Sequence, residues 1–187
     1  IMQMILARRQ DVYVILGTGQ GKTLVWQVPV HLENEVKKEV VTVFLSPLRA
    51  LTRQVKDQLA TTSIPCIVTN KVRRANEIVG GVWIISYEDL RSSNIQRVLD
   101  ELAHADRLAR IVIDEAHLVL DREWRWALCN IQYAAMLAVP LIVLTASLPP
   151  CMVAQLDDVM QKAPRCTAQS SDSHVPGAAT FATAQSR

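Results

Sequence analysis

A glycine-rich stretch near the start of the chain has the composition of a phosphate-binding turn. Residues Gly17 to Thr23, with the sequence GTGQGKT, follow an apolar run from Val12 to Leu16 and precede an apolar-periodic segment from Leu24 to Leu32. This order predicts a strand, a turn and a helix. The backbone N–H groups of such a turn point at a phosphate, and the helix N-terminus adds partial positive charge.

Two side chains of this stretch have a specific chemistry. Lys22 is placed to reach the β- and γ-phosphates of a nucleotide, and the Thr23 hydroxyl is placed to bind Mg²⁺. The general phosphate-loop pattern has a glycine five residues before Gly21, where this chain has Leu16. A plain glycine-rich turn is therefore the alternative interpretation.

A pair of carboxylates, Asp114 and Glu115, follows a second apolar run, Ile111 to Ile113. Parallel strands bring their carboxyl ends to one edge of a sheet, where ligands bind. Taken alone, the pair is also compatible with solvated residues or with a helix cap. A phosphate cradle and a metal-binding carboxylate at the same edge together predict a nucleoside triphosphate site.

Apolar runs and amphipathic stretches alternate along the chain. The predicted strands are Val12–Leu16, Val40–Leu45, Ile64–Thr69, Val82–Ser86, Arg110–Asp114 and Leu141–Thr145, and the predicted helices are Lys22–Glu35, Leu48–Thr61, Ile95–His104 and Trp124–Leu137. Continuous apolar strands separated by helices predict an α/β domain, a mostly parallel sheet with helices on both faces. We expect this domain to span residues 1 to 162.

The composition separates a globular part from a different C-terminal segment. The chain has 187 residues, 50% of them hydrophobic, and a net charge of +2 that is too small to indicate nucleic-acid binding by itself. Residues 163 to 187 have a low-complexity composition without periodicity, and we expect a disordered tail. No apolar run has the length of a membrane span, so we expect no membrane contact. The 4 cysteines lack metal-type spacing, which favours reduced intracellular thiols.

Four segments, in this order, resemble the motifs of one enzyme family. They are Leu16-Gly17-Thr18-Gly19-Gln20-Gly21-Lys22-Thr23, Ser46-Pro47-Leu48-Arg49-Ala50-Leu51, Asp114-Glu115-Ala116-His117 and Leu144-Thr145-Ala146-Ser147. These segments are similar to motifs I, Ia, II and III of superfamily 2 helicases of the DEAH-box kind, and the chain most closely resembles the RecQ-type DNA helicases. The resemblance covers about residues 1 to 160 and implies a RecA-like P-loop fold, the first of two lobes.

The resemblance implies roles for the residues of motifs I and II. ATP and Mg²⁺ would bind at motif I, with Thr23 and Asp114 holding the metal. Glu115 would orient or deprotonate the attacking water. His117 would link the nucleotide site to motif III and to the nucleic-acid face, although an ordinary capping or surface histidine is the alternative.

Motif III supplies two hydroxyls at the tip of the last predicted strand. The side chains of Thr145 and Ser147 can bond across the cleft to motif II, which would couple the two ligand sites. The same residues can instead cap the helix that begins near Pro149-Pro150, and both roles are compatible.

Two groups of residues are candidates for contact with DNA. Ser46, Arg49 and Thr52 lie at a strand end and in the first turn of a helix, where hydroxyls and a cation suit the phosphates of a single strand. A plain helix start with a solvated arginine is the alternative. Trp124 and Trp126 stand where RecQ-type helicases have an aromatic-rich loop that senses DNA. Base stacking on these rings and packing of the rings on the sheet are both open.

The chain departs from the RecQ-type pattern at several places. The family usually has Pro where Gly17 stands, a Pro-Glu dipeptide where this chain has Tyr87-Glu88, and Gln-Trp-Gly-His in the aromatic-rich loop. The glutamine that reads adenine would fall before residue 1. We expect the chain to be a piece of a longer protein that also contains a second RecA-like lobe, the source of arginine fingers and of half the DNA track.

Together these features predict the ATP-binding lobe of a RecQ-like, ATP-dependent DNA helicase that is intracellular, and nuclear in a eukaryote. The expected partner is single-stranded or forked DNA rather than RNA. One alternative is a degenerate module that holds nucleotide or DNA without turnover. Another is an unrelated P-loop ATPase such as a transporter or a kinase.

Overall fold

The computed structural model describes residues 2–7, 11–17, 19–36, 39–68, 71–146, 148–161 and 180–183. Its strands are β1 Val12–Ile15, β2 Val41–Ser46, β3 Cys66–Val68, β4 Gly81–Ser86, β5 Leu108–Ile113, β6 Leu141–Thr145 and β7 Thr180–Thr183. Its α-helices are α1 Met2–Ala7, α2 Lys22–Glu35, α3 Arg49–Ala60, α4 Ser93–His104, α5 Arg125–Met136 and α6 Pro150–Gln161. The strands form one parallel sheet in the order β3-β4-β2-β5-β6-β1-β7.

Alternate residues of the strands face two separate hydrophobic cores. Val12 and Val14 belong to the core that includes Trp26 and Val30 of α2 and Leu59 of α3. The side chains of opposite parity, such as Tyr13, belong to the core that includes residues of α4, α5 and α6. Both faces of the sheet are therefore covered, as its continuous apolar strands require.

The predicted parallel sheet with helices on both faces is confirmed, and the six predicted strands are present with bounds that differ by at most two residues at ends the structure describes. The predicted α2, Lys22–Glu35, has the observed bounds. The helix α1 was not predicted, and α6 was foreseen only as the helix near Pro149-Pro150 that Thr145 and Ser147 can cap. The helix α6 begins at Pro150, the second of two consecutive prolines, and proline is well suited to the first position of a helix.

Four residues of the segment that we expect to be a disordered tail are described by the structure. Thr180–Thr183 form β7, which pairs in parallel with β1 at the edge of the sheet, for example Tyr13 opposite Phe181. Pairing with an open strand edge satisfies backbone groups without the burial of a long apolar run, and threonine and phenylalanine have high β-propensity. The other residues of the predicted tail lie outside the described residues.

A buried ion pair joins α2 to the middle of the sheet. Arg110 of β5 donates to both carboxylate oxygens of Glu33 at 2.8 and 2.7 Å and to Thr42 Oγ1 of β2 at 3.0 Å. The two side chains are 1% and 8% exposed. This contact fixes the C-terminal half of the helix whose first turn carries Lys22 and Thr23.

Among the residues that the structure describes, no helix has both the length and the apolar character that crossing a membrane requires.

Candidate nucleotide-binding site

The glycine-rich turn connects β1 to α2 with a backbone that only glycine adopts at low cost. Gly19 and Gly21 have φ angles of 79° and 86°, in the left-handed region. The turn is closed by two hydrogen bonds, from Gly17 N–H to Gln20 Oε1 at 2.8 Å and from Gln20 N–H to Gly17 O at 3.2 Å. Since α2 begins at Lys22, its unpaired first N–H groups lie next to this turn. Thr18 lies outside the described residues.

The carboxylate pair follows β5 in a strained turn. Asp114 N–H donates to Leu45 O at 3.0 Å, which extends the pairing of β5 with β2. Glu115 has φ 48° and ψ 44°, a left-handed conformation that is unfavourable for a residue with a side chain. Its Oε1 lies 3.8 Å from Lys22 Nζ. The structure therefore brings the glycine-rich turn and the carboxylate pair together.

A cavity of about 430 Å³ lies between these two segments, within the range of small-molecule sites. Its polar wall includes Gly19, Gly21, Lys22, Thr23, Asp114 and Glu115, together with Gln54 and Gln58 of α3, and its apolar wall includes Trp26, Phe44 and Leu144. A larger and more open cavity of about 860 Å³ between α2 and α3 contains neither the glycines nor the carboxylates. The smaller cavity is thus the candidate site.

The environment of Asp114 suits a bound cation. Burial, and then the charge of Glu115, raise the pKa of Asp114 to about 6, and the Lys22 ammonium opposes this only in part. Glu115 Oε2 is buried without a hydrogen-bond partner. No group of three or more metal-binding side chains occurs among the described residues. Mg²⁺ needs no such cage, because it takes one or two carboxylates together with phosphate oxygens and water. Thr23 and Asp114 fit this ion.

The raised pKa of Asp114 predicts a pH-dependent cost in stability. Between its ordinary pKa of 3.8 and about 6, folded Asp114 holds a proton that the unfolded chain has lost. Below pH 3.8, Asp114 is protonated in both states and costs no stability. As pH rises from 3.8 to about 6 the free energy of unfolding decreases, and above pH 6 the loss from this group reaches about 3 kcal/mol. At pH 7.5 without metal, Asp114→Asn should therefore be more stable than the unchanged chain by about 1–3 kcal/mol.

Urea denaturation in EDTA at several pH values measures this difference. The gain of Asp114→Asn should vanish near pH 4, whereas exposed Asp57→Asn should change stability by less than about 0.5 kcal/mol at either pH. Equal stability of Asp114→Asn and the unchanged chain at pH 7.5 would contradict the raised pKa.

His117 connects the carboxylate turn to β6. Its Nδ1 shares a hydrogen bond of 2.9 Å with Thr145 Oγ1 and lies 3.4 Å from Glu115 Oε2. Thr145 is 1% exposed, so this contact lies inside the domain. The expected contact between motifs II and III is present for Thr145, while Ser147 lies outside the described residues. Whether this contact couples two ligand sites stays a prediction.

The hydroxyls that were candidates for DNA contact are used inside the domain, which differs from the expectation. Ser46 is buried and its Oγ donates to Leu48 O at 3.2 Å. Thr52 is also buried and its Oγ1 donates to Arg49 O at 2.6 Å. Both hydroxyls satisfy backbone carbonyls at the start of α3 because that helix end packs on the sheet. Neither hydroxyl faces solvent.

Arg49 is exposed but already paired with acidic residues. Its Nη2 donates to Asp89 Oδ1 at 2.7 Å, and its Nε lies 3.6 Å from Glu88 Oε2. Glu88 and Asp89 directly follow Tyr87 at the end of β4, so the carboxyl ends of β2 and β4 are joined here. A phosphate that binds Arg49 has to compete with these carboxylates.

The two tryptophans after the carboxylate turn have different environments. Trp124 is partly buried and packs against the core beneath it, whereas Trp126 is 44% exposed. Their rings stack with centroids 5.7 Å apart and an interplanar angle of 28°. Trp124 therefore packs on the domain, whereas Trp126 remains accessible for base stacking.

One residue beside the site was missed in the sequence. Tyr87 is fully buried, and its hydroxyl donates to the backbone carbonyl of Asp114. Burial and the negative charges of Asp114 and Glu115 raise the pKa of Tyr87 well above its ordinary value, so the hydroxyl keeps its proton. The signal was present as a tyrosine where the RecQ-type pattern has proline.

The parallel sheet, the glycine-rich turn and the carboxylate turn define a RecA-like P-loop domain. A family model for the DEAD/DEAH box helicase matches residues 1–156. The chain belongs to the DEAD/DEAH box helicase family.

The relatives with similar sequences include RecQ-type DNA helicases. The chain is 33% identical over 123 residues to the ATP-dependent DNA helicase hus2/rqh1 of Schizosaccharomyces pombe, which is 59% of this chain and 9% of that protein. It is 25% identical over 158 residues to the RecQ-like DNA helicase BLM of Xenopus laevis, which is 75% of this chain and 11% of that protein. The chain thus spans about a tenth of the length of the curated relatives it matches.

A solved structure agrees on the fold. The helicase domain of Hef from Pyrococcus furiosus superimposes with a TM-score of 0.55 at 19% sequence identity, over 85% of this chain and 36% of that one. At this identity the likeness concerns the fold alone.

Proposed function

We propose that this chain is the ATP-binding lobe of a RecQ-like, ATP-dependent DNA helicase. The observation that carries the proposal is the meeting of three segments at one sheet edge. Lys22 Nζ lies 3.8 Å from Glu115 Oε1, and His117 Nδ1 lies 2.9 Å from Thr145 Oγ1. The phosphate cradle and the pair of carboxylates suit nucleotide hydrolysis. The hydrogen bond between His117 and Thr145 suits a link from the nucleotide site to the DNA surface.

The geometry supports a division of labour in ATP hydrolysis. The N–H groups of the turn and Lys22 bind the phosphates, and Thr23 and Asp114 hold Mg²⁺. When bound, this ion neutralises charge on the β- and γ-phosphates. Glu115 orients a water molecule and accepts its proton as the water oxygen bonds to the γ-phosphorus and the bond to ADP breaks. Glu115 Oε2 has no hydrogen-bond partner, although it lies 3.4 Å from His117 Nδ1, and it is the oxygen that we assign to accept that proton.

The expected DNA surface lies beside this site, around the exposed face of Trp126. A cavity of about 490 Å³ is lined there by Trp126, Arg49, Arg91 and Leu48, and also by Glu88, which pairs with Arg49. An aromatic ring with cations beside it suits a single strand, since a base stacks on the ring and the phosphates approach the cations. Single-stranded or forked DNA is therefore the partner we propose.

Lys22→Ala should weaken binding of Mg·ATP while leaving the fold intact. The change removes the cation that meets the β- and γ-phosphates, a charge-assisted contact worth about 1.5–3 kcal/mol, or roughly tenfold to a hundredfold in affinity. Titration with a fluorescent ATP analogue measures the dissociation constant. Lys56→Ala is the matched control, because this lysine is exposed on α3 and lies outside the cavity. Equal affinity of folded Lys22→Ala and the unchanged chain would contradict the assignment.

Turnover measurements separate this proposal from the two alternatives. A RecQ-like lobe, joined to its second lobe, hydrolyses ATP faster when single-stranded DNA is added. A degenerate module binds without turnover under any condition, and an unrelated P-loop ATPase turns over without a response to DNA.

A further inference from the structure

Tyr87 lies between the carboxylate turn and the tryptophan pair, and every polar group it carries is bonded. Its hydroxyl donates to the carbonyl oxygen of Asp114. Its N–H donates to Ser46 O at 2.9 Å, and its carbonyl accepts from Asn130 Nδ2 of α5 at 3.0 Å. The backbone of Tyr87 is therefore held from β2 and from α5, while its side chain holds the turn.

A continuous row of aromatic rings extends from Tyr87 to solvent. The Tyr87 and Trp124 rings meet edge to face, with centroids 6.3 Å apart and an angle of 88°. Trp124 in turn stacks on Trp126, which is 44% exposed. Tyr87 is buried and Trp124 is partly buried, so a displacement of the Trp124 ring requires a response from the Tyr87 ring against which it packs. The exposed Trp126 ring is thus connected, through Trp124 and Tyr87, to the hydrogen bond that Tyr87 donates to the Asp114 carbonyl.

The backbone of Asp114 and Glu115 determines how the two carboxylates are oriented. The Asp114 N–H is fixed by Leu45 O and the Asp114 carbonyl by Tyr87, so the two peptide units on either side of this residue each have a partner. Glu115 follows immediately in a left-handed conformation. A change in the backbone angles of Asp114 and Glu115 would change the direction of both carboxylates.

We propose that Tyr87 is a positioning residue that couples occupancy of the Trp126 face to the orientation of the Asp114–Glu115 turn. This inference rests on the proposed function, with a base of single-stranded DNA as the ligand that stacks on Trp126. The hydroxyl is a feature of this chain, since the RecQ-type pattern has a proline at this position. A tyrosine that only fills the core would stabilise the domain but would leave the two ligands independent.

The test is the effect of a single strand on nucleotide affinity. The dissociation constant of a non-hydrolysable Mg·ATP analogue is measured without and with a saturating oligothymidine of about 15 nucleotides, a length within the site sizes of single-strand binders. For the unchanged chain the ratio of the two constants should differ from one. Tyr87→Phe should bring the ratio closer to one by about twofold to tenfold, the effect of a single hydrogen bond. Affinity for the analogue alone should change by less than about threefold, because the ring and the phosphate contacts remain.

Tyr133→Phe is the matched control. This substitution also removes a tyrosine hydroxyl, which donates to Gln96 O at 2.8 Å and joins α5 to α4. The ratio of the two dissociation constants should remain that of the unchanged chain. Trp124→Leu is a second variant that keeps the Tyr87 hydroxyl but breaks the aromatic row, and it should lose the coupling as Tyr87→Phe does. It serves as the test if Tyr87→Phe does not fold.

The possible outcomes separate the inference from the proposed function. A ratio that both variants leave unchanged would overturn the role of Tyr87. A ratio of one in the unchanged chain, with both ligands bound, would overturn the coupling and leave the proposed function in place. Failure of the unchanged chain to bind the oligothymidine would overturn the inference, whereas the proposed function is judged separately, by DNA-stimulated turnover of the lobe joined to its second lobe.

Discussion

Glu33→Leu should lower the free energy of unfolding by about 3–5 kcal/mol, the largest stability loss that we expect from a single substitution outside the nucleotide cavity. The change leaves the Arg110 guanidinium 1% exposed in the core, with Thr42 Oγ1 at 3.0 Å as its remaining bonded side chain. An uncompensated buried charge costs more than the ion pair itself contributes. In a domain of this size the melting temperature should fall by roughly 2–4 °C per kcal/mol.

Two further variants show that the cost comes from the unpaired charge. Glu35→Leu makes the same chemical change two residues later, where the side chain is 58% exposed and pairs with His31 on the surface, and it should change stability by less than about 0.5 kcal/mol. Glu33→Leu combined with Arg110→Met replaces the whole pair by apolar groups and should recover most of the loss. Urea denaturation of all three variants gives the comparison. A double variant as unstable as Glu33→Leu would contradict this explanation.

The sequence could predict the elements of the candidate site because their signals are local. A glycine-rich turn between an apolar run and a periodic segment predicts a strand, a turn and a helix, and Lys22–Glu35 was found with its predicted bounds. Asp114 follows an apolar run in the same way. A parallel sheet then places both at one edge, so the short distance between Lys22 and Glu115 follows from topology.

The partners of these residues could not be predicted because they depend on contacts between distant segments. Arg110 stands in the predicted strand, and nothing near it in sequence indicates that it pairs with Glu33, which is 77 residues away. Tyr87 and Asp114 are 27 residues apart, and their bond depends on how β4 and β5 flank β2. The hydroxyls of Ser46 and Thr52 match a phosphate-binding pattern in the sequence. In the structure each hydroxyl donates to a nearby backbone carbonyl, which the sequence pattern allows equally well.

A polypeptide of these 187 residues should bind ATP weakly, hydrolyse it very slowly and separate no DNA strands. Hydrolysis needs a cation that stabilises charge on the γ-phosphoryl group in the transition state, and an arginine finger contributes a factor on the order of 10³–10⁵ in NTPases. The described residues form a single sheet with its helices, and within the cavity Lys22 is the one positive side chain among its lining residues. A second lobe is the expected source of the finger.

Strand separation adds a second requirement, because translocation needs two bodies that open and close on the strand as the nucleotide state changes. Glu115→Gln should consequently change little that can be measured in this polypeptide, and should abolish turnover once a second lobe is supplied in trans or by fusion. A forked-duplex assay on the purified monomer tests the prediction, with Lys22→Ala as the control for contaminating helicases. Robust unwinding that disappears in Lys22→Ala would show that this chain supplies the second body itself, for instance by pairing with another copy.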